Sequence, residues 1–109
     1  MMVYVSHPFG GNKKNVGDTR VICKMEAMAR PNVLFIPALN VTCRAYDNGA
    51  YIRDLKRLLE LESKCDIVYM TGDWEKSKGC LIEMGYALGR GIRVVTTQEQ
   101  LHKLLDHLA

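Results

Sequence analysis

Residues 65–97 read CDIVYMTGDWEKSKGCLIEMGYALGRGIRVVTT. The run opens on Cys65-Asp66-Ile67-Val68-Tyr69-Met70, a short apolar segment with β-branched and aromatic residues, which reads as a strand. It breaks at Thr71-Gly72-Asp73-Trp74-Glu75-Lys76. Ser77 is a natural N-cap for a helix. Leu81, Met84 and Leu88 then recur at helical spacing as its apolar stripe, and Gly89 or Gly91 closes it. Ile92 to Thr97 is again a strand. A strand, a helix and a strand in succession form one crossover unit, whose two strands run parallel.

The same alternation extends outward. Gln98 to Leu108 is an amphipathic helix with Leu101, Leu104, Leu105 and Leu108 inward. On the N-terminal side, Ala50 to about Lys64 is helical, with Ile52, Leu55, Leu58, Leu59 and Glu62 stepping around successive turns. A polar loop with Asn40, Thr42, Asp47, Asn48 and Gly49 precedes it. Asn32 to Leu39 is a strand around Val33, Leu34, Phe35 and Ile36. About Asn15 to Arg30 is a helix with Val21, Ile22, Met25 and Met28 as its apolar positions, stopped by Pro31. Val3-Tyr4-Val5 opens the chain as a strand entering the loop Ser6 to Asn12. Strict alternation of strands and helices predicts a single α/β domain over residues 1–109. It is a small doubly wound, Rossmann-like or flavodoxin-like parallel sheet with helices on both faces. The simplest order for four strands is 2-1-3-4, with the switch point between strands one and three.

Composition narrows the partners. With 48% hydrophobic and 25% charged residues, the chain is an ordinary globular protein. A net charge of +3 is too mild for a nucleic-acid polymer and suits a small anionic ligand. Cys23, Cys43, Cys65 and Cys80 lie far apart, and His7, His102 and His107 complete no ligand set, so buried or incidental thiols are expected and no metal or cofactor. No segment is long and apolar enough to span a bilayer, and the N-terminus lacks a basic region followed by an apolar run. The expected compartment is the cytoplasm.

Open α/β sheets bind ligands beyond the carboxyl ends of their strands, at the switch point. The loops there are Ser6 to Asn12 and Thr71 to Gly79. Adjacent Gly10 and Gly11 let backbone N–H groups approach an anion, alongside Ser6 and Asn12. The second loop enters a helix N-terminus at Ser77, a favourable place for phosphate, and Gly79 removes a blocking side chain. Neither glycine pattern is a P-loop or a dinucleotide fingerprint. Glu83 lies less than two turns from that helix start, between the apolar stripe and the solvent face, with small Gly79 and Ala87 beside it. A carboxylate so placed could face the cavity. On residue type alone it is a surface glutamate. Trp74 offers a stacking surface for a base or a packing group.

Ser77-Lys78-Gly79-Cys80-Leu81-Ile82-Glu83-Met84-Gly85-Tyr86-Ala87-Leu88-Gly89-Arg90-Gly91 resembles the glutamate helix of the nucleoside 2-deoxyribosyltransferase-like superfamily, with its short DUF4406-type proteins the most similar branch. Val3-Tyr4-Val5-Ser6 with Gly10-Gly11 resembles its first strand and phosphate or sugar loop. Asp54, ahead of Cys65-Asp66-Ile67-Val68, takes the place of a family active-site aspartate. The resemblance spans residue 3 to about 95. It implies that Glu83 attacks C1′ of a nucleoside, that Tyr4 orients Glu83, and that Asp54 protonates or holds the leaving base. Ser77 stands where transferases of unphosphorylated nucleosides tend to carry aspartate and where the monophosphate N-glycosidases carry serine. The implied activity is therefore hydrolysis of a nucleoside 5′-monophosphate, with a non-catalytic nucleotide-binding module and a deoxyribosyltransferase as alternatives. Two free sheet edges and a limited core also predict a homo-oligomer.

Overall fold

The computed structural model of the chain describes residues 1–41 and 48–108, and of residues 48, 50, 51 and 52 the backbone alone. Thr42, Cys43, Asp47 and the Asn48 and Ile52 side chains, named above, lie outside the described residues. The elements run β1 (Met2–Ser6), α1 (Lys13–Ala29), β2 (Leu34–Pro37), a 3-10 turn (Ala38–Asn40), α2 (Asn48–Glu62), β3 (Ile67–Met70), a 3-10 turn (Trp74–Lys76), α3 (Lys78–Gly89), β4 (Arg93–Val95) and α4 (Gln98–Leu108). The four strands form one parallel sheet in the order β2-β1-β3-β4. This is the order expected from the alternating pattern.

Strand alternation divides the core in two. Val3 and Val5 of β1 face the same way as Phe35, Ile67, Tyr69 and Val95, and they pack with Cys23 of α1 and Leu101 and Leu105 of α4. Tyr4, Val68 and Met70 face the opposite way, against Cys80 and Ala87 of α3 and Leu61 of α2. A third cluster of Phe9, Val16, Leu39 and Leu58 pins the loop after β1 to the helices. Each fully buried aliphatic side chain contributes about 1.5–3 kcal/mol relative to an exposed one.

Two helices sit rotated from the orientation that their apolar residues predict. On α1 the buried positions are Val16, Thr19, Cys23 and Glu26. Val21, Met25 and Met28 are 56%, 64% and 74% exposed. The polar residues that face inward are satisfied there. Thr19 donates to the Asn15 carbonyl at 2.9 Å. Glu26 accepts from Gln98 Nε2 at 2.8 Å and lies 2.8 Å from His102 Nε2, which ties α1 to α4. On α3 the buried positions are Cys80, Glu83 and Ala87, while Leu81 and Leu88 are exposed and Met84 is half-buried. Glu83 therefore occupies a core position, not the boundary position read from the sequence. The helix bearing Leu101, Leu104, Leu105 and Leu108 does face the sheet as its stripe requires.

Candidate functional site

The site is built where β1 and β3 end side by side. Ser6 lies opposite Met70, and the Thr71 backbone N–H donates to the Ser6 carbonyl at 2.9 Å. The Thr71 hydroxyl donates to the same carbonyl at 2.8 Å. That hydroxyl has one proton, so its contact at 2.8 Å with His7 Nδ1 requires the imidazole to be the donor. Neutral His7 therefore carries its proton on Nδ1 and leaves Nε2 without one. Burial holds its pKa below the usual histidine value, with hydrogen bonding to Asn15 opposing the shift.

The two loops touch closely. A Cβ on Gly72 would stand 2.7 Å from His7 Cε1 and 3.2 Å from Pro8 Cδ, and Gly72 has φ +62°. Only glycine permits that approach and that backbone together. Gly72→Ala is expected to destabilise the domain by about 2–3 kcal/mol from left-handed backbone strain plus the clash. It should also displace His7 from its contact with Thr71. Thermal unfolding and the His7 imidazole resonances in NMR check both effects.

Between these loops lies a cleft of about 450 Å³, within the range that holds small molecules. Its described lining runs from His7 to Gly10, adds Asn15 from α1, and continues from the β3–α3 loop with Asp73, Lys76, Ser77, Lys78 and Gly79. Ser77 caps α3, its Oγ accepting from Cys80 N at 3.3 Å. Leu81 N–H is the first in α3 to reach back to the Ser77 carbonyl. The N–H groups of Lys78 and Gly79 thus belong to the unpaired first turn of the helix, where dipole and donors favour an anion. Lys76 and Lys78 add positive charge, and Asp73 opposes it.

Behind the lining sits Glu83, with no exposed surface. Tyr4 donates its hydroxyl to Glu83 Oε2. Ser6 donates to Oε1 at 3.0 Å. Ser6 is the residue before His7, so the carboxylate is one hydrogen bond from the chain that forms the cleft wall. Cys80 lies between the cap of α3 and Glu83, its backbone N–H on the Ser77 cap and its buried thiol under the influence of Glu83. Burial pushes the thiols of Cys23, Cys65 and Cys80 up, the first two to about 12 and about 11, which makes them poor nucleophiles at neutral pH.

Glu62, at the end of α2, is also fully buried. Neither of its carboxyl oxygens has a hydrogen-bond partner among the described residues. Burial, and after it the charge of Glu83 on the adjacent helix, together raise its pKa to about 8.

The structure brings together Tyr4, Ser6 and Glu83, and it sets Gly10, Ser77 and Gly79 in the cleft wall. Others are not part of that described wall. Asn12 caps α1, its side chain accepting from Lys14 N at 2.9 Å, so its oxygen is committed to the helix. Gly11 is exposed and is not among the described lining residues. Trp74 packs against the cluster of Tyr4, Val68, Met70 and Cys80, which is the packing alternative for that side chain. Asp54 is half-buried on α2, about two turns before Glu62, outside the described cleft lining. Sequence reading assigned no role to His7, Asn15 or Glu62. For Glu62 the signal was present, since it falls on the apolar stripe of Leu55 and Leu58, where a carboxylate is out of place.

A family model described as "Domain of unknown function (DUF4406)" matches residues 1–96. The matched part holds all four strands, α1 to α3 and every residue of the cleft, and it stops before α4. No curated protein and no solved structure matches the chain.

Proposed function

We propose that this chain, which belongs to the DUF4406 family, binds a nucleoside 5′-monophosphate in the cleft and hydrolyses its N-glycosidic bond. The observation that carries the reading is the pair of hydroxyl donors on Glu83. Tyr4 and Ser6 hold one oxygen each, immediately behind a cleft whose wall begins a helix. Such bonds fix a carboxylate for in-line attack. Glu83 would attack C1′, forming a glycosyl ester as the C1′–N bond breaks and the base leaves with a proton. Asp54 would assist that departure. Water would then cleave the ester, giving the sugar 5-phosphate and restoring the carboxylate.

The phosphate would sit at Ser77 and Gly79, on the first turn of α3. Ser77→Asp places a negative charge there and is expected to weaken monophosphate binding at least about tenfold, with little effect on the unphosphorylated nucleoside. Calorimetric titration with both ligands checks this. The activity itself is tested by chromatography of deoxy- and ribonucleoside monophosphates incubated with the protein. Base release from one of them is expected. Binding without release from any would leave a nucleotide-binding module. That second reading has its own observation, the complete burial of Glu83: a nucleophile must meet its substrate, so catalysis requires the cleft wall to open.

Self-association through α1 belongs to the same proposal. Val21, Met25 and Met28 form an exposed apolar stripe that a second copy would cover. Light scattering is expected to give a multiple of 12.3 kDa, reduced to one copy by Met25→Glu with Met28→Glu.

A further inference from the structure

Glu62 is the buried ionisable group that the proposed reaction does not use. It ends α2, has no exposed surface, and neither oxygen has a hydrogen-bond partner among the described residues. A lone carboxylate in such a place would cost several kcal/mol in desolvation. It is tolerated there only with a proton on it. Glu83, across the α2–α3 contact, differs in the one respect that matters: two hydroxyl groups donate to it. Two carboxyls in one dry layer, one with donors and the other with none, have an unequal claim on a single proton.

We infer that Glu62 is a positioning residue that holds the one proton of the Glu62–Glu83 pair and so keeps Glu83 anionic and seated on Tyr4 and Ser6. The inference deepens the reading of Glu83 as nucleophile and rests on it for its consequence. A second negative charge in the layer would repel Glu83 from its donors. Among the described residues, the titratable groups around the pair are Cys65, Cys80, Tyr4 and Asp66, and burial pushes the Cys80 thiol up so that it stays neutral. Cys65, in the link from α2 to β3, donates its thiol toward the Leu61 carbonyl at 3.6 Å, and burial raises it to about 11, so it stays neutral while Glu62 titrates. Tyr4 on β1 reaches the pair through Glu83. Asp66, beyond Cys65, is exposed and bonded to the Met2 backbone N–H at 2.8 Å.

The proton is assigned by carbon-13 NMR titration of glutamate-labelled protein, in the wild type, Glu62→Gln and Glu83→Gln. One carboxyl resonance is expected to titrate near pH 8 in the wild type. It should vanish in Glu62→Gln and move to lower pH by at least about one unit in Glu83→Gln, because the neighbouring charge is gone. In the pH profile of base release, the wild type is expected to decline on the alkaline side and Glu62→Gln is not. An ordinary titration for every glutamate overturns the inference. So does a high-pH carboxyl that survives Glu62→Gln, or one that Glu83→Gln leaves in place. A coupled titration together with no base release from any nucleotide would retire the glycosidase reading while the shared proton stands.

Discussion

A Glu83→Gln variant is expected to fold, to bind a nucleoside monophosphate, and to release base at least about a thousandfold more slowly than the wild type. The amide has almost the shape of the carboxylate, so the packing of Cys80 and Ala87 of α3 against Tyr4, Val68 and Met70 survives. What changes is nucleophilicity and acceptor count. Tyr4 and Ser6 each donate to a separate oxygen of Glu83. Glutamine offers one oxygen, so one hydroxyl loses its acceptor, at a stability cost of about 1–3 kcal/mol. The catalytic loss is larger because an amide does not form the glycosyl ester, and removal of a covalent nucleophile costs about a thousandfold or more. Single-turnover base release and a thermal melt on the same preparation separate the two effects. Release that persists in the variant at the wild-type rate would remove Glu83 from the role of nucleophile.

The second large effect is on stability and its dependence on pH. Glu62 has its pKa raised from 4.5 to about 8, first by burial and then by the charge of Glu83. Between those values the folded protein binds a proton that the unfolded chain releases. Stability therefore falls as pH rises through that window and levels off above it. At about pH 7 the accumulated loss is about 3 kcal/mol, at roughly 1.4 kcal/mol per pH unit above the unfolded value. Glu62→Gln resembles the protonated side chain and has no proton to lose. It should match the wild type near pH 4.5 and melt about 10 °C or more above it near neutrality. Thermal melts of both proteins across that window test this, and parallel curves would contradict it.

Much of the fold follows from local chemistry. β-branched segments bounded by glycine and proline mark the strands, and a capped helix between two of them makes the sheet parallel. Ser77 was legible as an N-cap because a hydroxyl ahead of a helical run satisfies a free N–H wherever the helix packs, and its Oγ does accept from Cys80 N. The leucines of α4 were legible because four large apolar residues on one face leave no other way to bury that helix. The α1 and α3 stripes misled for the opposite reason. Their inward positions hold Thr19 and Cys80, which bond within their own helix or its cap, and Glu26 and Glu83, which hydrogen bonds from other elements make tolerable inside. Those partners are distant in sequence: Gln98 and His102 for Glu26, Tyr4 and Ser6 for Glu83.

For Glu83 the sequence by itself determined its helix, its distance from the Ser77 cap and, through the resemblance, its expected role. Only the tertiary structure decided that this carboxyl is wholly buried, that two hydroxyls on β1 hold it, and that Glu62 on α2 feels its charge. A helix repeats every 3.6 residues, so spacing fixes which residues share a face. Which face turns inward depends on what the other elements offer it. For a carboxylate, that means donors, and they arrive only when β1 lies against β3 and α3 crosses over them.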